Sequence, residues 1–272
     1  MKLLLPLVAA LALLLVACGG GDDNGEKEPA PAATTSAAGE PAATAAPSSP
    51  AAGSPTAEAT VEDRTEVEAL LKAAALQLED LPSGYTLDDE TFSTNEESAG
   101  DESELLGAPT LEDLNRFGRI LGYDASYSQE AGLSSILEGG TLSLQVTTTL
   151  YEDSDGADEA FEFVREQASD PEFVDAFEES FANSPGVEVQ DASLTPLSFA
   201  ELGDERLAFE FKVSAHSTDL DQDFDFIARL VGIRRDRVIG SVTILAVNES
   251  PSGDELEDLG RTLDERMNDA LE

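Results

Sequence analysis

The sequence predicts an α+β domain: an antiparallel sheet of about six strands with helices packed against it, preceded by a disordered tether. Three observations carry this. Four consecutive strand-like runs fill 187–247, the second of them clearly alternating, and two more lie within 123–151. Segments with apolar residues every three or four positions flank both sets. Strands grouped in this way, rather than alternating one by one with helices, favour an antiparallel sheet over a parallel one.

The elements follow in chain order. In 61–79, Val67, Leu70, Leu71, Ala74 and Leu78 recur at helical spacing, and LPSGY then breaks the run with Pro82 and Gly84. The polar, acidic stretch 91–107 predicts a mobile loop. A short helix is expected over 110–118, with Thr110 as its cap and Glu112 and Asp113 in the first turn, where the helix dipole favours negative charge. Tyr123, Ala125 and Tyr127 alternate with polar neighbours; in TLSLQVTTTLY, Leu142, Leu144 and Val146 alternate with Ser143, Gln145 and Thr147. Both read as half-buried strands.

DSDGADEAFEFVREQA reads as a helix with acids at its N-terminal end. DPEFVDAFEESFA places Phe173, Phe177 and Phe181 on one helical face, with Asp170 and Pro171 as cap and first position. That stripe reads as core, with an apolar ligand pocket as the alternative. Strands are expected at 187–197, 206–217, 223–234 and 237–247, with a tight turn at Arg235 and Asp236. In the second of these, Leu207, Phe209, Phe211, Val213 and Ala215 face one way, and Glu210, Lys212, Ser214 and His216 the other. A closing helix buries Leu256, Leu259, Leu263, Met267 and Leu271 and turns Arg261 and Asp264 outward.

The chain divides into three parts. Residues 3–17 form an apolar run interrupted only by Pro6, shorter than the roughly 20 residues that span a bilayer, so 1–17 reads as an export signal. Residues 18–60 are rich in Gly, Ala, Pro, Ser and Thr, a composition that buries too little apolar surface to offset the entropy of ordering. Residues 61–272 form a single acidic domain. The formal charge is −42, nearly all of it after residue 60. Such a field repels nucleic acid and anionic lipid, and a salty habitat, the plainest reading, weakly held divalent cations or a basic partner are each consistent with it.

The run ends in Leu15, Val16, Ala17 and Cys18, the one cysteine of the chain. This LVAC tetrapeptide resembles the lipobox of bacterial lipoproteins. The resemblance implies a diacylglyceryl group on the Cys18 thiol, cleavage before it, and a protein held outside the cytoplasm on the membrane. Two acyl chains suffice for stable anchoring. The domain itself resembles bacterial extracytoplasmic sensor-type lipoprotein domains and the PsbP-like sandwich, through LPSGY, TTTLYEDSDGADEAFEFV, and VIGSVTILAV with the helix after it. That resemblance implies a non-catalytic binding or accessory module with a protein or small-ligand partner.

Catalytic motifs are scarce. With one histidine, His216, and the cysteine consumed, two-histidine zinc sites and Cys-His nucleophiles are excluded; there is no G-x-S-x-G, no G-x-G-x-x-G and no Walker lysine. His216 reads as an ordinary surface histidine. No cofactor is expected. A carboxylate-based envelope hydrolase is the alternative of another class, though a chain with no Trp and four Tyr lacks the aromatic platforms of sugar clefts. In STDLDQDFDF, Asp219, Asp221, Asp223 and Asp225 occupy every second position. The stretch reads as a solvated acidic turn, with a weak divalent-cation site, calcium for instance, as the alternative. The EF-hand pattern fails because Phe224 stands where its glycine must be and Leu230 where its bidentate glutamate must be.

Overall fold

The computed structural model describes residues 61–99, 109–129, 139–170, 172–175, 178, 186–218 and 221–272. Seven strands form one sheet: β1 (Tyr85–Ser93), β2 (Arg119–Gln129), β3 (Gly140–Tyr151), β4 (Val187–Pro196), β5 (Glu205–Ser217), β6 (Gln222–Arg235) and β7 (Val238–Val247). Their spatial order is β1-β2-β3-β7-β6-β5-β4, and every neighbouring pair is antiparallel. The helices are α1 (Val61–Ala74), the short α2 (Asn95–Ser98) and α3 (Leu111–Arg116), α4 (Ser154–Ser169) and α5 (Gly253–Leu271). The α+β class expected from the sequence is the class observed. The strand count is one higher.

One face of the sheet carries α1 and α5. Leu256, Leu259, Leu263 and Met267 recur along one side of α5 and are buried against Val231, Ile233, Val242 and Ile244. Alpha-1 contributes Leu71 and Ala74 to the same cluster, beside Tyr123, Ala125, Tyr127, Leu144 and Val146. Each fully buried large apolar side chain stabilises the fold by roughly 1.5–3 kcal/mol. Alpha-5 lies so close to β7 that a Cβ on Gly240 would stand 2.6 Å from the Met267 sulfur. Polar groups also join this face. The Thr148 and Tyr127 hydroxyls donate to the Leu71 and Leu76 carbonyls, each at 3.0 Å, and so tie the end of α1 and the residues after it to β3 and β2. Arg235 grips both oxygens of Asp264, at 2.7 and 2.8 Å, tying the β6–β7 turn to α5.

On the opposite face α4 covers one end. Phe161 packs with Leu207 and Leu230, and Phe117, Tyr151, Ala157 and Ala160 form the neighbouring cluster. Toward the other end Phe211, Val213, Ala215, Phe226, Ala228, Leu245 and Val247 form a second apolar cluster. Between them, on β2, β3 and β7, the face is polar.

Four details depart from the sequence-based expectation. The first helix ends at Ala74, and Leu78–Asp80 form a 3-10 turn instead of its continuation. Thr91–Ser93 belong to β1 and Asn95–Ser98 to α2, so the expected loop is structured at its start; residues 100–108 lie outside the described residues. A register shift between Thr141 and Ser143 opposite β7 sends Leu142 to the second apolar cluster, away from Leu144 and Val146. Asp264, expected in solvent, turns inward to Arg235. The tether at 18–60 and the stripe members Phe177 and Phe181 lie outside the described residues, whereas Phe173 is half-buried.

Candidate functional site

The polar part of the opposite face is a grid set by strand register. Asp124 on β2 stands beside Thr147 on β3, and Thr147 beside Ser241 on β7. One row along, Ser126, Gln145 and Thr243 line up in the same way. Because side chains alternate with period two, these six share one face. Four of them are buried, with Asp124 at 8 % exposure. The Thr147 hydroxyl donates to Asp124 Oδ1 at 2.8 Å. Asp124 Oδ2 and Gln145 Oε1 are buried and accept no hydrogen bond. A buried acceptor left without a donor costs about 1–3 kcal/mol, and more when charged. Burial pushes the Asp124 carboxyl up to about 7, against the pull of the Thr147 hydroxyl and the Arg119 guanidinium.

Arg119 enters from the start of β2 and is itself buried. It donates to the Ser93 carbonyl (3.2 Å), the Ser93 hydroxyl (3.0 Å) and Asn95 Oδ1 (2.9 Å), joining β1 and α2 to the patch. Its path requires Gly122, where a Cβ would meet Arg119 Nη2 at 2.3 Å. The patch is therefore a positive and a negative group set into one sheet surface, with hydroxyls and an amide between and apolar clusters at either end. Clefts that bind small molecules share this composition: apolar walls and a few placed polar groups.

The residues singled out in the sequence lie elsewhere. Cys18, Leu15, Val16, Ala17 and Asp219 are outside the described residues. Asp223 pairs with His216 across the β5–β6 ladder, accepting from its Nδ1 at 2.8 Å, and accepts from the Gln190 amide at 3.1 Å. The hydrogen bond to Asp223 raises the His216 imidazole above its ordinary range and holds Asp223 below its own. Asp225 accepts from Ser214 at 2.6 Å and pairs with Lys212 at 2.7 Å; burial works to raise it, and those two partners more than offset this. Asp221 is exposed, in the left-handed region at φ 51°. Among the described residues no group of three or more His, Cys, Asp or Glu side chains is arranged to hold a metal ion.

Asp124, Gln145 and Thr147 were not singled out by the sequence. Their only trace was that the polar side of GYDASYS and the polar side of SLQVTTT fall on adjoining strands.

No protein-family model matches the chain, and no curated protein matches it. Among solved structures, the extracellular domain of PknH from Mycobacterium tuberculosis is similar, with a TM-score of 0.43 and 10 % identity over 74 % of this chain and 96 % of that one.

Proposed function

We propose that the protein is a lipid-anchored, extracytoplasmic binding module without catalytic activity, its signal at 1–17, its lipidated Cys18 and tether at 18–60, and its ligand-binding domain at 61–272. The observation that carries the binding role is the nature of the buried patch. Its one carboxylate is faced by hydroxyls and an amide, which select and hold a ligand. Hydrolysis by paired acids needs two carboxyl groups within about 5–10 Å across a cleft. Asp124 is the only acid below 9 % exposure among the described residues. His216, the single imidazole available as a base, is taken up by Asp223 at the β5–β6 hairpin, away from Asp124. The anchoring half of the proposal rests on the LVAC tetrapeptide.

Mass spectrometry of protein extracted from its native membrane tests both halves. The expected result is an N-terminal peptide beginning at Cys18 with a diacylglyceryl thioether, and release of Cys18→Ala from the membrane fraction. A mature chain starting elsewhere, or Cys18→Ala still sedimenting with membranes, sinks the anchor. Native spectra of the intact protein should carry a small molecule in substoichiometric or full occupancy that denaturation removes.

A further inference from the structure

We infer that the polar patch on β2, β3 and β7 is a receptor for a ligand bearing a primary ammonium group, held by Asp124 Oδ2 and Gln145 Oε1. The inference rests on the binding-module reading and names the ligand class. Its ground is the mismatch between what the patch offers and what it lacks. Two buried oxygens from adjoining strands accept nothing, and one belongs to a carboxylate. Gln145 sits one step diagonally from Asp124 across the β2–β3 ladder, where Gln145 pairs with Ser126 and Asp124 with Thr147. Diagonal neighbours on a sheet stand within reach of long side chains. A group entering between them therefore meets acceptors on two sides.

A carboxylate or phosphate ligand would add oxygens where oxygens are already unmet. An ammonium supplies up to three N–H donors from one atom and the charge that Asp124 needs. Arg119, the charged group that approaches Asp124 from the start of the same strand, is engaged with Ser93 and Asn95 and leaves Oδ2 to another donor. The apolar clusters flanking the patch, Phe161 with Leu207 and Leu230 on one side and Phe226 with Leu245 on the other, suit a short aliphatic body behind the ammonium. The chain's charge of −42 raises the local concentration of small cations and steers them inward.

The test uses the full mature chain in detergent, labelled with carboxyl-13C aspartate, and four probes at equal ionic strength: butylammonium, tetramethylammonium, butyrate and glycerol. Tetramethylammonium matches the charge but has no N–H to donate. At pH 8 butylammonium is expected to raise the melting temperature by several degrees and to move the Asp124 carboxyl signal, whose titration midpoint falls as the probe is added. The other three should do neither. Asp124→Asn abolishes the response; Gln145→Met, which leaves the carboxylate in place, weakens it about tenfold. Equal responses to both ammonium ions mean screening and overturn the inference, as does an Asp124 carboxyl still neutral at pH 8, its proton satisfying Gln145. A response to glycerol or butyrate at Asp124 overturns the ammonium class while the binding module stands. The wider reading fails separately, on a Cys18 without lipid and native spectra without a bound molecule.

Discussion

Asp124 costs the fold stability whenever it is ionised, and the sign of the effect is fixed by the direction in which burial moves its carboxyl. The folded carboxyl holds its proton up to about 7, against an ordinary value of 3.8. Between those limits the native state binds more protons than the unfolded chain, so stability falls as pH rises from about 4 to about 7. The whole rise corresponds to about 4 kcal/mol at most. Glu205 runs the other way: its bonds to Arg165 and Arg234 hold it down to about 2, so its contribution is present above the ordinary carboxylate range and is lost only as pH drops toward 2. The two windows overlap only narrowly, near pH 4, so above that range the change belongs to Asp124. Denaturant unfolding at pH 4, 6 and 8 should therefore show wild type and Asp124→Asn alike at pH 4 and the variant more stable by a few kcal/mol at pH 8. Parallel profiles for the two proteins would mean that Asp124 is not desolvated in solution.

Elements were legible where one face is oily and the other wet. Beta-5 announces itself through alternation, whereas β6 and β7, buried along most of their length, show as apolar runs; the turn expected at Arg235 and Asp236 is found one residue on, at Asp236 and Arg237, with Asp236 in the left-handed region at φ 51°. Beta-1 was hidden for a physical reason. It is an edge strand reading YTLDDETFS, of which only Tyr85 and Ser93 are buried, and its charges protect an edge that would otherwise pair with another chain. The patch was hidden for the opposite reason: Thr147 and Asp124 look like solvent-facing residues until the sheet is assembled and buried on both sides. Alpha-4 offers a sharp test of element placement. Its cap is Asp153, whose carboxylate accepts from the Gly156 amide at 2.9 Å, and its first turn lies against the α3–β2 connection. A Cβ on Gly156 would stand 2.1 Å from the Phe117 carbonyl oxygen, an immovable backbone atom. Gly156→Ala, neutral or favourable by helix propensity alone, is expected to lower stability by about 2 kcal/mol or more through displacement of α4. A melting temperature at or above wild type would show that α4 does not dock there.

At the scale of the whole molecule the dominant fact is self-repulsion. Fifty-seven acidic residues against fifteen Lys and Arg leave a net field that the many ion pairs on the surface do not cancel, since exposed pairs each contribute about 0–1 kcal/mol. Bringing this charge together on folding costs free energy that salt screens, because the Debye length shrinks from about 30 Å at 0.01 M to about 3 Å at 1 M. Sodium chloride should therefore raise the melting temperature over that range. Calcium separates this general effect from a specific one. Among the described aspartates of the acidic run ending β5 and opening β6, Asp223 is bonded to His216 and Asp225 to Lys212, and Asp221 lies 3.7 Å from His216, so a cation would have to displace those partners to gather the carboxylates. Melting in millimolar calcium should match melting in sodium chloride of equal ionic strength. A larger shift with calcium, lost on Asp221→Asn with Asp223→Asn, would instead make the hairpin a divalent-cation site and give the molecule's acidity a ligand of its own.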